Sequence, residues 1–229
     1  MRDSATPSVG TKGQVTTIEL DRRARAIARR SAESRATIPS VEYTAEVNME
    51  ATLAREAELG CGVVALIVRA VGHALTAVPR VNGAYRDGRF EIYERANVGV
   101  TMATEESFVV PTVYDANAKS AAQIATELAD LYVSAREGTL GPAELSGATF
   151  TITDSAAFDI STLTPLIEPP QAAALAVGPI RDVPVVRDGA VVPGQTMVLT
   201  LACDQRIVYA AHASAFLEEL KAHLQEAML

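Results

Sequence analysis

The stretch ATELADLYVSAREGTLGPAELSGATFTITD, residues 125–154, changes periodicity partway along. Ile124, Leu128, Leu131 and Ala135 recur at helical spacing, which predicts an amphipathic helix over SAAQIATELADLYVSAREGTL with Gly138 just beyond its end. The segment ATFTITD that closes the stretch alternates as a strand. Upstream, RDGRFEIYERANVGVTMATEESFVVPTVYDA carries the turn pair Asp87-Gly88 and at least three short strands. Before it, VVALIVRAVGHALTAV reads as a largely buried helix ending ahead of Pro79, and VEYTAEVNM as a strand. LDRRARAIARRSAESRATIP places Ala24, Ile27, Ala28 and Ser31 at helical spacing among Arg22, Arg23, Arg25, Arg29, Arg30 and Arg35, and Pro39 ends that helix. The arginines read as a solvated face, with capture of an anionic ligand as the alternative. Downstream, AAALAVGPI, VPVVRDGAVV and TMVLTLACD read as strands before a closing helix, AAHASAFLEELKAHLQEAM. Helices and strands interleave without a regular βαβ rhythm, so the expectation is α/β: a mixed sheet with flanking helices.

Composition narrows the function. The chain has 229 residues, 48% of them hydrophobic, and a net charge of −8. That charge offers no long-range attraction to nucleic acid or to anionic lipid, so neither is an expected partner. Cys61 and Cys203 form neither a disulfide framework nor a metal-ligand spacing, which favours a reducing cytoplasm and no metal. No apolar signal core opens the chain, and no apolar run is long enough to cross a bilayer. Residues 1–17, rich in Ser, Thr, Gly and Pro, are expected to be a flexible N-terminal segment before one domain over 18–229.

Five stretches taken in order give a family resemblance: TIPSVEYTAEVNM, ALTAVPRVNGAY, ANVGVTMATEESFVVPTVYDAN, the 125–154 block and PPQAAALAVGPI. Together they resemble the catalytic core of the 2-oxoacid dehydrogenase acyltransferases, a family similar in fold to chloramphenicol acetyltransferase. The resemblance implies a two-layer α/β sandwich assembled as a homotrimer or a larger trimer-based particle. It also implies active sites in channels between subunits, entered by coenzyme A or pantetheine from one side and the acyl partner from the other.

The family's Asp-His-Arg-x-x-Asp-Gly motif stands here as Asp204-Gln205-Arg206-Ile207-Val208-Tyr209-Ala210. The family's histidine takes a proton from the attacking thiol or hydroxyl, which needs a group titrating near working pH. Gln205 hydrogen-bonds but does not titrate, so it orients a nucleophile without deprotonating it. Tyr209 replaces an aspartate that pairs with an arginine of the first helix. Thr153 stands where the family has the serine that hydrogen-bonds the tetrahedral oxyanion, with strand packing as the alternative role. Ser40 occupies a position where many relatives have histidine. His212, one helical turn past Tyr209, is the candidate replacement base; a helix-surface histidine is the plainer reading. His73 is expected to be a satisfied core residue, His223 exposed, and Cys203 buried packing.

The resemblance implies a stand-alone acyltransferase, since the segment before Ile18 is too short for lipoyl or subunit-binding domains. The acyl group, acetyl by expectation, would arrive on coenzyme A or a carrier protein as co-substrate, with no tightly bound cofactor. Specialised metabolism is the expected setting. The alternative is an inactive homologue acting as a ligand-binding or structural subunit.

Overall fold

The computed structural model describes residues 8–11, 13–104 and 107–226. Its centre is β10 (Ala173–Val177), whose five small and apolar residues are all buried. β10 runs parallel to β9 (Phe150–Asp154), and β9 parallel to β6 (Val98–Ala103). On its other side β10 pairs antiparallel with the long β12 (Ala190–Asp204). β12 then pairs antiparallel with β3 (Ser40–Asn48) and β11 (Arg181–Arg187), while β7 (Phe108–Val109) and β8 (Thr112–Val113) join β6. The result is one eight-stranded mixed sheet. A short hairpin, β4 (Gly83–Arg86) with β5 (Arg89–Ile92), turns at Asp87 and Gly88, both at positive φ, as the Asp-Gly pair predicts. A second hairpin, β1 (Ser8–Gly10) with β2 (Gly13–Val15), stands apart from the main sheet.

Strand alternation divides the sheet into unlike faces. Phe150 and Ile152 of β9, with Leu199, Leu201 and Cys203 of β12, enter the main core. Over that face lie α3 (Val63–Ala77), α4 (Ala121–Glu137) and α5 (Ala210–Gln225); Phe150 meets Phe216 of α5 at 5.5 Å between ring centres. Gly72 lets α3 approach the Ala116–Asn117 backbone, where a Cβ would fall 2.6 Å from a nitrogen. The sequence reading did not include α2 (Glu50–Leu59), whose only buried side chain is Thr52. The opposite face is covered more thinly. Ile38, Ile167, Ala174 and Ala202 form a small second cluster there, and it fixes the end of α1 (Arg22–Thr37). Ser34, the one buried side chain of α1, donates its hydroxyl to Ile167 O at 2.7 Å. Ala24, Ile27 and Ser31 are half-buried, as expected of the inner face, but Ala28 is exposed.

Candidate active site

β12 ends at Asp204, and the chain turns because Ile207 N–H and Val208 N–H both donate to Asp204 O. The Asp204 carboxylate is 1% exposed and takes four bonds from Arg206: the backbone N–H at 3.0 Å, Nε at 2.9 and 3.1 Å, and Nη2 at 2.6 Å. This bidentate clamp holds the guanidinium 3.9 Å above the Tyr85 ring and raises the Arg206 pKa further. Such a pair fixes the turn more than it stabilises the fold, because desolvation offsets most of the attraction. Between the two clamped residues stands Gln205. Its N–H donates to Pro39 O at 3.0 Å, and its Oε1 accepts from Tyr43 Oη at 3.4 Å, a long bond.

Tyr209 caps α5 and is half-exposed, its hydroxyl donating to Arg206 O at 3.3 Å. The Tyr209 N–H donates to His212 Nδ1 at 3.2 Å, so the ring's Nδ1 lone pair is engaged and the proton of a neutral ring resides on Nε2. Burial, and then the charge of Arg80, lower the His212 pKa. Arg80 itself donates Nε–H to Ile207 O at 2.6 Å and lies 5.6 Å from the Tyr209 ring centre. His212 is therefore coupled to Tyr209; no hydrogen bond joins it to Gln205.

Thr153 lies elsewhere on the sheet. Its Oγ1 is 3.2 Å from the Thr101 Oγ1, because β6 and β9 run parallel with those residues in register. Both hydroxyls line a cavity of about 420 Å³ that is otherwise mainly apolar, with Met102, Phe108, Leu128 and Tyr132 among its walls. Thr153 is in register with Ala176, and Ala176 with Thr200. Two strand spacings of about 4.8 Å and five residues of about 3.3 Å then separate Thr153 from Gln205 by roughly 19 Å in one protomer. A single copy does not bring the two together. Thr101 was absent from the sequence-based candidates. The only available signal was a threonine in each of VTMA and TITD, and the parallel register that joins them is a tertiary fact.

Ser40 donates to Glu42 Oε1 at 3.1 Å. Expected to be satisfied, His73 instead leaves Nε2 buried without a partner among the described residues. It stacks on His223 at 5.0 Å between ring centres, and His223, expected to be exposed, is half-buried with Nδ1 likewise unpaired. The pairing of α3 with α5 puts them together, a contact no local pattern encodes. Cys203 is buried, and burial followed by the Asp204 charge pushes its thiol up to about 12. Cys61, half-buried, is also raised, mainly by desolvation. Among the described residues no three His, Cys, Asp or Glu side chains gather as a metal site.

Residues 12–229 match the family model described as 2-oxoacid dehydrogenases acyltransferase (catalytic domain). The dihydrolipoyllysine-residue acetyltransferase component of the pyruvate dehydrogenase complex of Zymomonas mobilis is 32% identical over 241 residues, covering 97% of this chain and 54% of that protein. The chain thus spans about half the length of the curated relatives it matches. The solved cubic core of the pyruvate dehydrogenase multienzyme complex superposes with a TM-score of 0.89 at 24% identity, over 94% of this chain and 93% of that one. Chloramphenicol acetyltransferase superposes at 0.60 with 15% identity, over 96% and 100%. These last two likenesses establish the two-layer fold.

Proposed function

Because the chain belongs to the 2-oxoacid dehydrogenase acyltransferase family, we propose that it moves an acyl group between two thiols, one of coenzyme A and one of a lipoyl or pantetheine arm. The observation that carries this reading is the Asp204–Arg206 clamp: the motif's turn is held although its histidine is glutamine. The relative named above is a component of a pyruvate dehydrogenase complex and lends nothing to a specialised-metabolite role.

Thiol exchange is the acyl transfer that tolerates Gln205. An acceptor thiol of pKa about 8.5 is already a few per cent thiolate at pH 7, so no enzyme base is needed to make the nucleophile. The thiolate forms a bond to the thioester carbonyl carbon, and the carbonyl electron pair moves onto oxygen. That oxyanion receives the Thr153 hydroxyl hydrogen bond, with Thr101 accepting or donating beside it. Collapse restores the carbonyl and expels the donor sulfur as thiolate, so charge and protons balance. Gln205 supplies amide hydrogen bonds that orient the incoming sulfur. An alcohol acceptor would arrive protonated and find no base in the turn.

The 19 Å gap within one protomer supports a trimer-based assembly in which Gln205 of one copy faces Thr153 of the next. The test is acetyl transfer from acetyl-coenzyme A to dihydrolipoamide as a function of pH. We expect the rate to rise about tenfold per pH unit below the thiol pKa of about 8.5, with no inflection at or below the ordinary histidine value of about 6.5. An inflection there that His212→Ala removes would reinstate His212 as base. No transfer at any pH, with coenzyme A still bound, would leave the second reading, a ligand-binding subunit, which the non-titrating Gln205 favours.

A further inference from the structure

The turn that carries Gln205 is gripped at both ends by arginines, and both arginines rest on one hairpin. Arg206 holds the Asp204 carboxylate and lies 3.9 Å from the Tyr85 ring centre. Arg80 donates Nε–H to Ile207 O at 2.6 Å and lies 4.9 Å from the Phe90 ring centre. Tyr85 of β4 and Phe90 of β5 are direct cross-strand partners, so their side chains leave the same face of the hairpin and make a two-ring platform. A guanidinium within about 6 Å of an aromatic ring centre is attracted to it. The hairpin is also tied to the turn through the backbone: Ala172 N–H donates to Gly83 O and Asp204 N–H to Ala172 O, each at 2.8 Å. Gly83 leaves room for the platform, since a Cβ there would lie 2.6 Å from Phe90 Cε2.

Arg80 does more than mirror Arg206. It stands in a short 3-10 helix, Pro79–Val81, whose Val81 is fully buried. The next residue, Asn82, donates Nδ2–H to Tyr93 O at 2.9 Å and to Arg95 O at 3.0 Å, so the segment carrying Arg80 is anchored independently of the turn. From that anchor the guanidinium reaches Ile207 O and lies 5.6 Å from the Tyr209 ring centre, which links the end of the turn to the start of α5. Gln205 needs such support. Among the described residues its side chain has one hydrogen bond, the 3.4 Å contact with Tyr43, and in the proposed assembly it works against a carbonyl held by another copy. Misplacing such a group by about 1 Å costs about 10² in rate. Resting on the transfer reaction proposed above, we infer that Arg80 is a positioning residue: seated on Phe90, it fixes the Ile207–Tyr209 side of the turn and so sets where the Gln205 amide points. This role requires no contact between Arg80 and substrate.

Arg80→Met removes the cation and the donor but keeps an apolar side chain on Phe90, whereas Arg80→Lys keeps a cation and a donor. Amide hydrogen exchange reads the turn directly. Ile207 N–H and Val208 N–H, both bonded to Asp204 O, should exchange about tenfold faster in Arg80→Met and less so in Arg80→Lys, with the amides of α4 unchanged. Phe90→Leu removes the seat without touching the turn; it should reproduce this effect in weaker form, and it carries the test if Arg80→Met does not fold. In acetyl transfer from acetyl-coenzyme A to dihydrolipoamide, Arg80→Met should lower kcat about tenfold to a hundredfold with both KM values unchanged, and Arg80→Lys should recover part of the loss. The double variant Arg80→Met, Gln205→Ala should be no slower than Gln205→Ala alone, because Arg80 acts through Gln205. Unchanged exchange in the turn overturns the proposal, as does a double variant slower than Gln205→Ala by the full Arg80→Met factor. A raised KM with kcat intact also overturns it, since Arg80 would then be binding substrate. Faster exchange in the turn of a protein that transfers no acyl group would uphold the positioning and reject the proposed catalysis, so the two fail separately.

Discussion

Thr153 and Thr101 form a pair in which each hydroxyl limits where the other can point. If Thr153 donates to an oxyanion, its oxygen is free to accept from Thr101, whose hydroxyl is 3.2 Å away. Thr153→Val should lower kcat by about 10²–10³, the loss typical of one oxyanion donor. Thr101→Val should lower kcat less, without changing KM, and Thr101→Ser should restore it. Equal damage from Thr101→Val and Thr101→Ser would assign Thr101 to strand packing alone. Asp204, Gln205, Arg206 and Tyr209 could be singled out from the sequence because they lie in one contiguous stretch. The Thr101 contact, 52 residues from Thr153 in sequence, could not.

Among the elements, the helix over 121–137, the strand over 150–154 and the Asp87-Gly88 hairpin follow from spacing, because each stands on local chemistry: a Ser120 cap reciprocated by Gln123, a Gly138 stop, and a turn needing positive φ. Which faces would meet was not encoded locally, and α3 against α5 is the instructive case. There the His73 pKa is lowered first by burial, then by Arg69 and by His223. The unfolded chain takes up this proton near 6.5 while the folded chain resists it. Stability from this source is therefore complete above about 6.5 and is lost as pH falls from there through the lower folded value. Urea midpoints at pH 7.5 and pH 5 should differ less for His73→Phe than for wild type, since phenylalanine keeps a ring against His223 and carries no proton. An unchanged difference would mean that acid acts elsewhere.

For the whole molecule, the fold class was readable from the interleaving of periodicities; the separation of Thr153 from Gln205 across the sheet was not readable from spacing, although the family resemblance already implied a site shared between subunits. That division makes complementation the informative experiment. Gln205→Ala and Thr153→Val proteins, each impaired alone, should regain activity when unfolded together and reassembled, because a mixed particle contains channels with both wild-type residues. Random mixing of two variants in a trimer leaves a fraction of channels intact; absence of any recovery would place both residues in one subunit's site or in none.

The two cysteines bear on the acyl transfer proposed above. A protein that holds thioesters close to its own sulfur atoms risks acylating itself and halting with the group on the wrong atom. Burial and a neighbouring carboxylate keep Cys203 protonated far above neutral pH, and Cys61 is shifted the same way. Both cysteines are thus poorer nucleophiles toward a thioester than a free thiol is. Exchange between two thiols leaves the number of free thiols unchanged, so the check is the mass of the protein after incubation with acetyl-coenzyme A, which should gain no acetyl group.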